Sequence, residues 1–258
     1  MFKLFSVIYF LTCIAIFNAS AATENIGIVL LHGKGGSPGG YVQNLAIAMQ
    51  NKGYLVATPT MPWSQKRIYD ATFEESMLEI DQEIDALRKK GATTIVVAGQ
   101  SLGANAALGF GASRSSAQGI IAMSAAHSPE SAGFSNRFRQ DVERARRLIA
   151  EGKGKDKQTF PDINQGKTSE VTATAESYLS WFDPDGAAVM PKSVALFKKP
   201  IPLLFVTGNG DRLAPSKDSI FDKAPPHPKS KFVVVSADHF TTPSAAIEEV
   251  LKWLESLK

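Results

Sequence analysis

Cysteine is nearly absent from this 258-residue chain: Cys13 is the only one. It lies in an apolar run, Leu4–Phe17, that follows Lys3 and precedes Ala19-Ser20-Ala21. A short positive start, an apolar stretch and a small-x-small site describe a secretory leader over residues 1–21, cleaved before Ala22. As a helix the run spans only about 21 Å, short of the roughly 30 Å hydrocarbon core of a bilayer. No basic stop-transfer cluster follows it. The expectation is export to the periplasm or the medium, with no membrane anchor left after processing. Residues 22–258 would then hold no thiol, which excludes disulfides and a cysteine nucleophile and leaves stability to the hydrophobic core.

Charge of one sign is also scarce. Lys and Arg number 28 against 25 Asp and Glu, a net charge of +3. What imbalance exists is concentrated in Arg137, Arg139, Arg144, Arg146, Arg147, Lys153, Lys155 and Lys157. Nucleic-acid binding would call for aromatics interleaved with that charge, and only Phe138 and Phe160 are near. A solvated helix face is the plain reading, and attraction to an anionic surface or substrate is the sharper one. The four histidines show no metal-ligand spacing with one another or with a carboxylate, so neither a metal nor another cofactor is expected. There is no internal repeat.

What the chain does have is alternation. Continuous apolar runs at 26–31, 55–58, 94–98, 119–123, 201–207 and 231–235 read as parallel strands covered on both faces. Helical periodicity falls between them. Phe73, Met77, Ile80, Ile84 and Leu87 share one face of a helix ending at Gly91, and Leu45 and Met49 mark an earlier helix ending near Gly53. A last helix opens with Thr242 as cap and Pro243 in the first turn, burying Ile247, Val250, Leu251 and Leu254. The pattern predicts an α/β fold: one doubly wound, mainly parallel, six-stranded sheet. Residues 126–199 break the rhythm without a core strand. They hold a basic amphipathic helix over about 134–150, a polar stretch, and Tyr178-Leu179-Ser180-Trp181-Phe182-Asp183. This segment is expected to be a helical, lid-like insertion over the carboxyl ends of the strands.

The most informative stretch is Gly99-Gln100-Ser101-Leu102-Gly103, between a β-branched run and a small-residue run. A G-x-S-x-G turn joining a buried strand to a helix is a nucleophile elbow. The turn is so sharp that a Cβ two residues either side of the serine would clash, which is why both positions are glycine. The serine occupies strained backbone at a helix N-terminus, where peptide N–H groups face a developing oxyanion. Two later loops carry partners for it: Gly208-Asn209-Gly210-Asp211 with Pro215, and Asp238-His239-Phe240. Asp211 and His239 thus emerge at the same sheet edge as Ser101.

With His32-Gly33-Lys34-Gly35-Gly36 after the first strand, these loops make the chain resemble the α/β-hydrolase superfamily. The likeness is to small bacterial esterases and dienelactone-hydrolase-like enzymes, with serine in place of their cysteine. It covers nearly all of residues 22–258 in element order, in a minimal six-stranded form. The resemblance implies Ser101 as nucleophile, His239 as general base and then acid, and Asp211 as the orienting carboxylate, with the backbone N–H groups of Lys34 and Leu102 as the oxyanion hole.

His127 stands as an alternative base, while His32 is expected to support its loop and His227 to be exposed. Asp183, Asp185, Asp218 and Asp238 are alternative acids. The Lys34 ammonium is expected to point to solvent or to meet an acidic substrate. Trp63, Tyr178, Trp181 and Phe182 form either a substrate pocket or a small core. The implied activity is cleavage of a small-molecule carboxylic ester or thioester through an acyl-enzyme. A peptidase or lipid hydrolase using the same groups is the nearest alternative. Beyond these stand a catalytically silent binding protein of the same fold and a surface-attached protein held by the basic helix.

Overall fold

A computed structural model describes residues 25–197 and 199–258. The leader over residues 1–21, its cleavage before Ala22 and Cys13 lie outside the described residues. In chain order the elements are β1 (Ile26–Leu31), α1 (Gln43–Asn51), β2 (Leu55–Ala57), α2 (Phe73–Lys89), β3 (Thr94–Gln100), α3 (Leu102–Ser113), β4 (Gly119–Met123), α4 (Ala132–Ala150), β5 (Lys157–Asn164), β6 (Lys167–Thr174), α5 (Ala175–Phe182), α6 (Met190–Ala195), β7 (Leu203–Gly208), β8 (Lys231–Val235), α7 (Thr242–Ala245) and α8 (Ile247–Glu255).

Six strands form one sheet in the order β2-β1-β3-β4-β7-β8, with every pair parallel. Side chains alternate across it. Ile28 and Leu30 join Val96, Ile121, Leu204, Val250 and Leu254 in the layer under α1 and α8, while Val29 and Leu31 face the larger core beneath α2 and α3. The strand order reverses between β1 and β3, the switch point at which open α/β sheets leave a crevice beyond their carboxyl ends.

Local chemistry sets the ends of the elements. Thr72 accepts a hydrogen bond from the Glu75 amide, and the Glu75 carboxylate accepts one from the Thr72 amide. This reciprocal box opens α2, and Gly91 at φ 97° closes it. β7 begins two residues later than the apolar run because Pro202 has no N–H to donate. The expected cap at Thr242 differs too. Thr242 lies inside the first turn, its hydroxyl donating to the Asp238 carbonyl at 2.6 Å, and a break at Ala246 separates α7 from α8.

The segment 126–199, expected as a helical, lid-like insertion without a core strand, holds the helices α4, α5 and α6 and strands as well. Between α4 and α5 it contains an antiparallel hairpin, β5–β6, closed by a two-residue turn at Gln165-Gly166 with φ of 51° and 78°. Such a turn requires positive φ at both positions, which Gly166 supplies without strain. Phe160, Asp162, Val171 and Ala173 are its buried residues. The remaining positions are largely polar, which hid the pair from a search for apolar runs.

Candidate active site

Ser101 sits at the joint of β3 and α3 with φ 58° and ψ −121°, a conformation that strains any side chain bearing a Cβ. What holds it there is backbone packing. A Cβ on Gly99 would lie 2.1 Å from the Gly103 carbonyl oxygen, and one on Gly103 would lie 2.6 Å from the carbonyl oxygens of Leu31 and His32. Only glycine fits either place, so the motif's spacing follows from contact between the start of α3 and the ends of β1 and β3.

The other two loops meet at that joint. The amide of Gly210 donates to the Ala237 carbonyl at 2.9 Å, and that of Asn209 to Val235, also at 2.9 Å. The turn after β7 is thereby fastened to the turn after β8. His239 Nε2 lies 2.9 Å from Ser101 Oγ, and His239 Nδ1 lies 2.8 Å from Asp211 Oδ2. The His239 and Asp211 side chains are 6% and 0% exposed. Burial alone would raise the Asp211 carboxyl, but hydrogen bonds from His239 and from the Leu213 amide outweigh it and hold the group below its ordinary value. Asp211 is thus an anion in a dry site, aimed at the imidazole.

The alternative acids and bases are committed elsewhere. Asp183 pairs with Arg146 at 2.9 Å, and Asp238 accepts from the amides of Phe240 and Thr241 in its own turn. Asp218 lies in a short 3-10 turn, and Asp185 closes a tight turn through its amide. His32 is buried. Its Nε2 accepts from the Met61 amide, so its Nδ1 carries the proton and donates to Gly33, which makes it a loop support. His127 donates from Nε2 to the Trp181 carbonyl at 2.7 Å, and burial, reinforced by the Lys34 charge, pushes its pKa well below the usual histidine value. His227 is half-buried rather than exposed, with Nδ1 accepting from the Lys229 amide. Among the described residues no group of three His, Cys, Asp or Glu side chains is placed to hold a metal ion.

Lys34 departs from expectation. Its side chain is 8% exposed, and its ammonium meets Asp162 of β5 at 2.6 Å and the Ile163 carbonyl at 3.1 Å. It also lies over the rings of Tyr69 and Phe182. The Asn164 side-chain amide donates to the Lys34 carbonyl, so the loop after β1 is tied to the hairpin at two points. Leu102 is the first residue of α3, so its amide has no intrahelical acceptor, and among the described residues the Lys34 amide makes no backbone bond in the surrounding turns. They remain free to donate beside Ser101, and a Cβ on neighbouring Gly33 would sit 3.0 Å from Ser101 Cβ.

Two clefts, of about 420 and 460 Å³, converge on Ser101. The hairpin tip, Asn164 and Gln165, lines both. Trp63, Trp181 and Phe182 line neither. They are fully buried in an aromatic cluster with Tyr69, Phe73 and Tyr178, and Trp63 Nε1 donates to the His32 carbonyl at 2.7 Å. Of the two readings open to these rings, packing is the one realised. Phe134, Phe138 and Leu213 supply the apolar wall instead.

Sequence reasoning passed over two residues of this site. Gln100, inside the pentapeptide, is buried and donates from Nε2 to the His239 carbonyl at 3.1 Å, joining the elbow to the histidine loop. Its place in the motif was a visible signal. Asp162 had none, because its partner Lys34 is 128 positions away.

No family model and no curated protein matches the chain's sequence. Solved structures do match it. A structure from work on LipS and LipT, two metagenome-derived lipolytic enzymes, is 17% identical, with 90% of this chain and 94% of that one covered and a TM-score of 0.63. The monoacylglycerol lipase of Paleococcus ferrophilus is 20% identical over 90% and 95%, with a TM-score of 0.62. Est1E of Butyrivibrio proteoclasticus is 16% identical over 90% and 89%, with a TM-score of 0.57. At these identities the likeness speaks for the fold: the chain has the α/β-hydrolase fold, with a six-stranded parallel sheet between helical layers.

Proposed function

We propose that this chain is a serine hydrolase that cleaves a small-molecule carboxylic ester or thioester through an acyl-enzyme, without a cofactor. The observation that carries the reading is the run Ser101 Oγ, His239 and Asp211, with distances of 2.9 and 2.8 Å, on a serine held at φ 58°. His239 Nε2 takes the Ser101 proton as Oγ attacks the carbonyl carbon. The Lys34 and Leu102 amides donate to the tetrahedral oxyanion, each worth roughly 3 kcal/mol in the transition state. His239 then returns the proton to the leaving oxygen or sulfur, and the same groups activate water to release the acid. That esterases and lipases share the fold favours ester over amide substrates.

The four loop motifs favour the small bacterial esterases within this fold. Residues 126–199 serve as a cap over the site, and residues 1–21 as an export leader. Export is tested by the N-terminal mass of the protein recovered from periplasm and medium, where an uncleaved start would refute it.

The decisive experiment pairs wild type with Ser101→Ala, using a fluorophosphonate probe and p-nitrophenyl acetate. Wild type should be labelled and turn over, while a folded Ser101→Ala should be unlabelled and slower by a factor on the order of 10⁶. A folded wild type that neither labels nor turns over would sink the proposal.

A further inference from the structure

The chain as a whole is nearly balanced in charge, with 28 basic and 25 acidic residues. Its clefts are not. Lys34, Lys167, Arg137 and Arg212 line the two cavities that meet at Ser101, and among the described residues no aspartate or glutamate lines either. Lys34 is neutralised by Asp162. The arginines are not neutralised. On α4, Arg144 is held by Asp141, and Arg146 by Glu143 and Asp183. Arg137 of the same helix has no carboxylate within ion-pair distance among the described residues and bonds only the Thr168 hydroxyl. Arg212 has no ion pair among them either, because the carboxylate beside it, Asp211, is turned to His239 and the Leu213 amide. Both guanidinium groups share the larger cleft with the apolar rings of Phe134 and Phe138. An apolar wall flanked by two unpaired guanidinium groups and free of acid selects an amphiphilic anion, and planar guanidinium forks match carboxylate or phosphate oxygens in pairs.

We propose that the ester cleaved at Ser101 carries an anionic group, carboxylate or phosphate, on the portion that occupies the Phe134/Phe138 cleft, and that Arg137 and Arg212 bind it. This rests on the serine-hydrolase reading and adds the substrate class to it. Exposed guanidinium–anion contacts are individually weak and screened by salt. Together they amount to about a tenfold preference in kcat/KM, expressed chiefly in KM.

The test uses ester pairs in which methyl capping removes the charge, and comparing each pair's ratio between enzyme variants cancels the difference in intrinsic reactivity. They are 4-acetoxybenzoate against its methyl ester, mono(4-nitrophenyl) suberate against its methyl ester, and 4-acetoxyphenyl phosphate against its dimethyl ester. These place the anion on the leaving group, on the acyl group, and as phosphate. The quantity read is the ratio of kcat/KM, charged over capped, in wild type, Arg137→Gln/Arg212→Gln and Arg137→Lys/Arg212→Lys. At least one pair should show a ratio that falls about tenfold in the glutamine variant, falls with added salt, and is largely kept in the lysine variant. Ratios equal in wild type and the glutamine variant for all three pairs, with the capped esters still cleaved, would overturn this proposal and leave the hydrolase reading standing. If no ester is cleaved and the fluorophosphonate does not react with wild type, both fall together.

Discussion

Replacing Asp162 by asparagine leaves the Lys34 ammonium without its counter-ion where water has little access. The two charges are 2.6 Å apart, with side chains 8% and 5% exposed. At an effective dielectric of about 20 their attraction is about 6 kcal/mol, most of it offset in the native protein by the cost of desolvating both ions. Removing one partner keeps the cost and loses the attraction, a net of about 3–5 kcal/mol. For a domain of this size that is a fall of roughly 6–20 °C in Tm.

Burial already pulls the Lys34 pKa down, and only the opposing pull of Asp162 restrains it. Without Asp162 the amine sheds its proton in the folded state while the unfolded chain keeps it until about pH 10.4. The deficit of Asp162→Asn against wild type should therefore narrow as pH rises toward that value. The assay is thermal unfolding at pH 7 and pH 9.5, with p-nitrophenyl acetate turnover in parallel. Because the pair secures the loop carrying the Lys34 amide, kcat should fall as well, by up to the 10²–10³ range typical of one lost oxyanion donor. Lys34→Met/Asp162→Leu keeps the amide, removes both charges and should recover most of the stability. A Tm for Asp162→Asn within about 2 °C of wild type would refute the reasoning.

Two further expectations concern strain and protons. Ser101→Gly relieves a positive φ and should raise stability by about 1 kcal/mol in urea unfolding while abolishing turnover; a variant no more stable than wild type would remove the strain argument. His127 is buried neutral, so the unfolded chain gains a proton below about pH 6.5 that the folded chain refuses, and stability is lost as pH falls. Between pH 7.5 and 5.5 wild type should lose about 1 kcal/mol more than His127→Asn, and equal losses would refute the assignment.

The sheet was readable because its strands are buried on both faces. β1, β4 and β8 begin and end where their apolar runs do. The edge where Ser101, Asp211 and His239 meet followed from that topology, since loops after parallel strands share one side. Other features were set by contacts that leave little local trace. The β5–β6 hairpin alternates modestly and presents mostly polar side chains. The burial of Lys34 depends on a carboxylate from that unrecognised hairpin. Trp181 and Phe182 could have faced substrate or core, and the orientation of α5, capped by Thr174 at the Ser177 amide, turned them inward.

The hairpin tip has a consequence for how such a site can change over evolutionary time. Gln165 borders both clefts from the exposed two-residue turn that follows Asn164, and exposed loop tips are where exchanges and insertions are tolerated. The elbow at Ser101 has no such tolerance, being enclosed by backbone on both sides. Selectivity and reactivity are thereby written in separate stretches of chain. A lineage could alter which molecules it accepts by editing a surface turn, leaving untouched the crowded joint where the bond is broken.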